Sequence, residues 1–222
     1  MSTTYRFRFD SINKTLAVVL LLALLIGLPK TADAAYCSLR DPIIAIQTMY
    51  PKATQHRSIV RPIDQNIRRE IAKLLPFTLH YKEVGRHTLY LVNNERKPIG
   101  FVQARSEASD WGLVEIAWAI SPDMTIDGMV LQRCRGPECN AALKNQVQHA
   151  LYGKSFPELL TLLSADGNAL SNKAKNTIRG AQPLLLTILR SALKTLAVTQ
   201  LVWGDVVGSA QSTPDSQAAV AQ

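Results

Sequence analysis

The chain has 222 residues and a mass of 24.5 kDa, which allows one domain with appendages or two small domains and excludes a large multidomain protein. Its 47% hydrophobic and 19% charged residues exclude an intrinsically disordered chain. The formal net charge of +8, from 25 Lys and Arg against 17 Asp and Glu, would favour nucleic acid or an anionic membrane as partner if the basic residues clustered.

The first 34 residues have the pattern of a secretory signal peptide. Arg6, Arg8 and Lys14 precede an uninterrupted apolar run over 16–28, and Ala32-Asp33-Ala34 then supplies the small residues that a signal peptidase accepts. The run is shorter than the roughly 20 residues that span a bilayer, which favours cleavage over an anchor. Removal of 1–34 takes away four basic and two acidic residues and leaves a net charge of +6. The sequence therefore predicts export to the periplasm, and the remaining charge gives no support for nucleic-acid binding.

An exported protein meets an oxidising compartment, where cysteines tend to pair. Cys134 and Cys139 stand five residues apart, and Gly136-Pro137 between them can form the turn that brings their side chains together. This spacing favours a disulfide over a redox-active pair or a metal site, because it is not C-x-x-C and no histidine motif accompanies it. Cys37 is left over and could instead bridge to either of the two.

Hydrophobic periodicity predicts the order of elements. Two short helices are predicted between Pro42 and Leu75, the second with Asp64 as its N-cap. A region of β-branched and aromatic residues follows, with hairpin-sized connections that indicate an antiparallel meander. The predicted strands are Thr78–Val84, Thr88–Val92, Ile99–Arg105, Val114–Ile120 and Ile126–Cys134. The fold class is therefore α+β, with a sheet of about five strands packed by flanking helices.

Helical periodicity returns after Cys139, and Pro183 divides the last apolar stretch. The segment Leu184–Trp203 is apolar enough to suggest a membrane helix, but Arg190 and Lys194 interrupt it at helical spacing, which favours a core-facing or dimerising helix. The residues after Val207 lack periodicity. We therefore expect one domain over 35–205 and a disordered tail over 206–222.

The sequence contains candidates for ligand binding but no recognisable catalytic constellation. Trp111, Trp118 and Tyr152 could stack on a flat ring or could be core residues. Arg133 and Arg135 flank the first cysteine of the pair, where their guanidinium groups could hold a phosphate or could simply be solvated.

The segment from Gly100 to Asp166 resembles the FMN-binding domain of exported flavoproteins, found in subunits of sodium-translocating quinone reductases and related electron-transfer complexes. The resemblance rests on four runs and on the helical region from Tyr152 to Leu160. The runs are Pro98–Val102, Trp111–Ile116, Ile120–Asp123 and Ile126–Val130, the last being the family's strand and glycine turn.

The chain departs from that family at two motifs. Cys134–Cys139 stands where the family usually carries E-T-P-G-x-G, and Asp166–Ser171 is the nearest match to S/T-G-A-T-x-S/T, with Ala169 in place of the threonine that carries the flavin phosphate. The resemblance therefore implies that FMN binds without a covalent bond, or through Ser171. It implies a cofactor site that includes Trp118, Arg133, Arg135, Asn168 and Ser171, with the helix after Ser171 as a phosphate cradle.

Two functions follow from these observations. The first is an exported FMN-binding protein that transfers electrons in the cell envelope, in the periplasm or associated with the inner membrane, with an envelope redox protein or a membrane complex as its partner. The second is a binding or scaffold module of the same fold that has no cofactor and acts on a partner through the helix Leu184–Trp203. The sequence leaves open whether the protein is an enzyme.

Overall fold

A five-stranded antiparallel sheet forms the centre of the computed structural model, which describes residues 40–81, 83–178 and 182–212. The strands follow each other in chain order across the sheet, β1-β2-β3-β4-β5, and helices pack on both faces. This confirms the predicted α+β class and the antiparallel meander. The predicted signal peptide, Cys37 and the residues after Ser212 lie outside the described residues.

The boundaries of the elements follow the hydrophobic pattern and its caps. Asp64 accepts hydrogen bonds from the amides of Asn66 and Ile67, both at 2.8 Å, and so begins the second helix as predicted. The elements are α1 (Ile43–Met49), β1 (Gln55–Ile63), α2 (Gln65–Leu74), β2 (Gly85–Asn94), β3 (Lys97–Ser109), β4 (Gly112–Ile120), β5 (Ile126–Arg133), α3 (Ala141–Leu151), α4 (Phe156–Leu160), α5 (Asn172–Thr177) and α6 (Gln182–Gln211).

The first strand differs from the prediction. The strand expected at Thr78–Val84 is wrong, because the described residues of that segment form an irregular connection. Arg68 of α2 holds this connection by donating to the backbone carbonyls of Leu79 and His80. The sheet nevertheless has five strands, because an unpredicted strand, β1, pairs with β2 along its whole length.

Each face of the sheet has its own apolar core. On one face α1 packs on small residues of the strands, and Gly100 makes room there for the ring of Tyr50, whose hydroxyl donates to the Ile120 carbonyl at 3.2 Å. On the other face lies the larger core, to which α2, α3, α4 and α6 contribute. Trp118 and Trp203 are among the largest side chains buried there.

Helix α6 is the central element of the larger core. Among the described residues it is the one helix long and apolar enough to cross a membrane, yet 72% of its most apolar window is buried within the protein. It is therefore a core-facing helix, as its interrupted apolar pattern predicted. Pro183 lies at its second position, where proline fits a helix start.

The C-terminal boundary predicted from the sequence is too early. Helix α6 bends at Trp203, where φ is −124°, and continues to Gln211 with Val207 only 3% exposed. Residues 206–211 therefore belong to the domain and not to a tail. Asp205 binds Arg61 of β1 through two hydrogen bonds of 2.6 and 2.8 Å, and this attachment holds the last turns against the sheet.

Candidate functional site

The disulfide loop connects the end of β5 to the start of α3. Cys134 and Cys139 form the predicted bridge, with their Cα atoms 5.8 Å apart. Within the loop, the Cys139 amide donates to the Gly136 carbonyl at 3.2 Å, and Gly136 has a φ of +96°, a conformation that glycine adopts at little cost. The Gly136-Pro137 pair thus makes the turn that the spacing of the cysteines required.

Trp111 lies against this loop. It occupies the tight turn between β3 and β4, and a Cβ placed on Gly136 would come within 3 Å of its indole ring. The side chain is nevertheless 55% exposed, so that one part of the ring contacts the loop while the rest remains open to solvent. Of the three aromatic residues considered for stacking, Trp111 and Tyr152 are exposed and Trp118 is not.

A basic depression of about 540 Å³ lies on one side of the disulfide loop. In the part of the chain that the structure describes, its lining includes four cationic side chains and no carboxylate. The lining residues are Arg40, Leu131, Gln132, Arg133, Cys134, Arg135 and Lys144. The structure therefore brings the two predicted arginines, Arg133 and Arg135, into one depression, and adds Arg40 and Lys144 to them.

A buried carboxylate lies behind two of these cations. Glu115 of β4 is completely buried, and its oxygens lie 3.5 Å from Arg40 Nε and 3.6 Å from Arg133 Nη1. Neither oxygen has a hydrogen-bond partner among the described residues, and these are loose ion pairs. Glu115 holds the two arginines near the depression by charge, and Arg40 Nη1 also donates to the Gln132 carbonyl at 3.3 Å.

A second cavity of about 290 Å³ lies on the other side of the loop. The β3–β4 turn, the disulfide loop and the first turns of α6 line it. Its lining residues are Ala108, Ser109, Asp110, Trp111, Arg135, Glu138, Pro183, Leu184 and Thr187. Arg135 lines both this cavity, which we call the Trp111 cavity, and the basic depression.

Trp118 is not placed to contact a ligand, contrary to the prediction. Its side chain is 0% exposed, and its indole nitrogen donates to Ser191 Oγ of α6 at 3.1 Å. Helices cover both faces of the sheet here, so an aromatic residue on a central strand becomes a core residue.

Asn168 and Ser171 have structural contacts and lie apart from the arginines of the basic depression. The Asn168 side chain donates to Asp166 at 3.1 Å and accepts from Arg190 at 2.9 Å, which closes a turn. Ser171 is the N-cap of α5, where its hydroxyl accepts from the Ala174 amide at 3.3 Å. Ser171 thus caps this six-residue helix, and the phosphate cradle at Ser171 stays a prediction.

Arg190 belongs to a third, smaller cavity of about 160 Å³, which shares Ala108 and Thr187 with the Trp111 cavity. At its base lies a buried charge quartet composed of Glu83, Arg105, Glu107 and Lys194. Burial opposes ionisation of Glu83, but Arg105 and Lys194 outweigh it and lower the pKa of the carboxyl. Each charge in the quartet therefore has a partner of opposite sign.

Sequence reasoning missed Arg40 and Lys144. They lie more than 90 residues apart in the sequence, and they reach the basic depression only because Arg40 precedes α1 and Lys144 lies in the first turn of α3. No local pattern in the sequence could indicate this. No family model matches the chain, and no curated protein was found to match it.

Proposed function

We propose that the chain binds FMN without a covalent bond and serves in electron transfer in the cell envelope. The FMN phosphate would lie in the basic depression, and the flavin ring would lie against Trp111. The observation that supports this most directly is the convergence of Arg40, Arg133, Arg135 and Lys144 on one depression beside an exposed tryptophan. The volume of about 540 Å³ lies within the roughly 300–1,000 Å³ of small-molecule sites.

The donors of the depression suit a phosphate. Arginine presents planar, paired N–H groups that match phosphate oxygens, and lysine adds a compact charge. The four cations are partly balanced by one buried carboxylate, Glu115, so the net charge of the depression remains positive. An anion carrying up to two negative charges would therefore be attracted.

The Trp111 cavity suits an aromatic ring. The exposed indole offers offset stacking, and Pro183 and Leu184 provide an apolar wall at the start of α6. Arg135 lines both cavities, so one side chain could contact both ends of the ligand. The bound flavin would supply the redox chemistry, while these residues orient it and limit its contact with water.

A non-covalent complex fits the residues of Asp166–Ser171, the segment nearest to the family's covalent motif. Ala169 has no hydroxyl, and the hydroxyl of Ser171 is already used in the cap of α5. Ala169 therefore cannot form a phosphoester, and a phosphoester at Ser171 would involve the oxygen that caps α5. Binding would then depend on the charges of the depression, and we expect it to weaken as ionic strength rises.

A titration with FMN and with riboflavin tests this proposal. FMN fluorescence should be quenched on binding, and riboflavin should bind at least tenfold more weakly because it lacks the phosphate. Arg133→Ala should weaken FMN binding by about tenfold or more and leave riboflavin unchanged. Arg57→Ala, which removes an exposed arginine of β1, is the matched control. Absence of quenching at millimolar FMN would overturn the proposal.

The second predicted function, a scaffold module without a cofactor, would need a surface other than the helix Leu184–Trp203. Leu189 and Leu196 of α6 are each 1% exposed and pack in the main core, so the apolar face of this helix is not available to a partner. The basic depression remains available for contact with an acidic envelope redox protein or a membrane complex. The disulfide is compatible with an oxidising compartment, which supports the proposed periplasmic location.

A further inference from the structure

We propose that the Cys134–Cys139 disulfide is a redox switch of the anion site. Reduction of the bridge by a dithiol would release the loop that carries Arg135 and supports Trp111, and so weaken ligand binding. This inference rests on the proposed function, because it concerns the regulation of the same site. It adds a second reactant class, a dithiol reductant, to the chemistry of the protein.

The position of the loop supports the switch. The loop lies between the two cavities: Cys134 lines the basic depression, Glu138 lines the Trp111 cavity, and Arg135 lines both. A change in the loop therefore alters both ends of the proposed ligand site at once.

Among the described residues, few hydrogen bonds would hold the loop after reduction. Inside the loop, the Cys139 amide donates to the Gly136 carbonyl, and Cys139 Sγ lies 2.9 Å from the Arg135 carbonyl. Next to the loop, the Asn140 side chain donates to the Pro137 carbonyl at 3.4 Å. Gly136 and Pro137 are exposed, and the covalent bridge is the strongest constraint that closes the loop. Trp111 packs directly on Gly136, so its surroundings should change when the loop opens.

Other parts of the site should keep their positions. Arg133 is the last residue of β5, where it pairs with Glu115 of β4 both in the sheet register and by charge. Arg40 contacts the same carboxylate. Reduction should therefore remove the contribution of Arg135 and the Trp111 contact while the contributions of Arg133 and Arg40 remain. The switch lowers affinity and does not abolish the site.

The surroundings of the bridge also favour exchange. Both cysteines are partly exposed, and Cys134 borders an open depression. Arg133 and Arg135 flank Cys134, and positive charge stabilises a thiolate leaving group. In the balanced step the dithiol loses two electrons and two protons and becomes a disulfide. The S–S bond of the protein breaks, and Cys134 and Cys139 become two thiols.

The experiment uses the full exported chain carrying Cys37→Ser, so that the pair provides the only thiols. Affinity for FMN is measured in the oxidised form, after reduction, and in a Cys134→Ser/Cys139→Ser variant. Reduction and the double serine substitution should each weaken FMN binding at least fivefold. Circular dichroism should show that the fold is retained in both cases. In Arg135→Ala the ratio of oxidised to reduced affinity should fall, and only the part that the Trp111 contact contributes should remain.

A second measurement needs no ligand. Acrylamide quenching of tryptophan fluorescence should rise on reduction, and Trp111→Phe should remove that change because Trp118 and Trp203 are buried.

Equal FMN affinity in both redox states would overturn the switch and leave the proposed function intact. No FMN binding in either state, with increased quenching on reduction, would overturn the proposed function and support release of the loop. Unchanged quenching would overturn the loop release itself.

Discussion

Lys194 Nζ lies 3.1 Å from Glu83 Oε1, although 111 residues separate the two in the chain. The pair joins α6 to the irregular connection before β2, and Arg105 reaches the other oxygen of Glu83 at 2.8 Å. Glu107 completes the buried charge quartet. Such a cluster is stable only while each charge keeps its partners, because burial removes their hydration.

Replacing Lys194 by Met should destabilise the protein by about 3–5 kcal/mol, because two buried carboxylates would lose their shared cation. Urea unfolding measures this. Lys73→Met is the matched control, because Lys73 pairs with Glu70 at 2.7 Å on the exposed side of α2, where such a pair contributes at most about 1 kcal/mol. Equal losses in the two variants would contradict the role of the quartet.

His87 should make stability depend on pH. Burial, together with the nearby Arg105, lowers the pKa of His87 to about 4. Below about pH 6.5, His87 is protonated in the unfolded chain but stays neutral in the folded protein. The free energy of unfolding should therefore fall as the pH drops from about 6.5 towards 4. At about 1.4 kcal/mol per pH unit the loss is roughly 3 kcal/mol. His87→Gln should flatten the thermal unfolding profile over this range, and an unchanged slope would contradict the assignment.

Gly136→Ala should cost more stability than Gly112→Ala. Both glycines have a positive φ, of +96° and +97°, so both substitutions carry the same backbone strain of about 1 kcal/mol. Only at Gly136 does the new methyl group also collide with Trp111. Chemical unfolding should therefore show an additional loss for Gly136→Ala, with a shift in tryptophan emission that Gly112→Ala lacks. Indistinguishable variants would show that the indole does not pack on the loop.

Leu189→Ala should destabilise the protein by about 2–5 kcal/mol, because it leaves a cavity in the core beneath α6. Leu201→Ala on the same helix should cost less than about 1 kcal/mol, since Leu201 is 45% exposed. Guanidinium unfolding compares the two. A mild effect at Leu189 would indicate that this face of the helix is not packed in the core.

Local patterns predicted the elements whose side chains alternate clearly between core and solvent. The helix begun by Asp64, the strands from Thr88 onward and the disulfide turn at Gly136-Pro137 were all indicated by neighbouring residues. Strand β1 was missed because it contains Pro62 and is mostly exposed, as an edge strand with one neighbour can be. The aromatic and β-branched run at Thr78–Val84 resembled a strand but found no pairing partner among the described strands.

The candidate site was only partly predictable. Arg133 and Arg135 adjoin the cysteines in the sequence, so they could be proposed together. Trp118 was misassigned because alternation along β4 does not reveal that α6 covers that face. Arg40 arrives through long-range packing, which depends on the sheet register and on the docking of helices.

The meander order of the sheet has a consequence for folding. Every strand pairs with its neighbour in the sequence, and β2 to β5 can form by successive hairpins whose closing loops are short, whereas α2 lies between β1 and β2. Helix α6 instead reaches β1 through Arg61 and Asp205, which lie 144 residues apart. We expect pulsed hydrogen exchange during refolding to protect the amides of β2, β3 and β4 before those of α6. The lining that α6 gives the Trp111 cavity would then be the last part of the site to assemble.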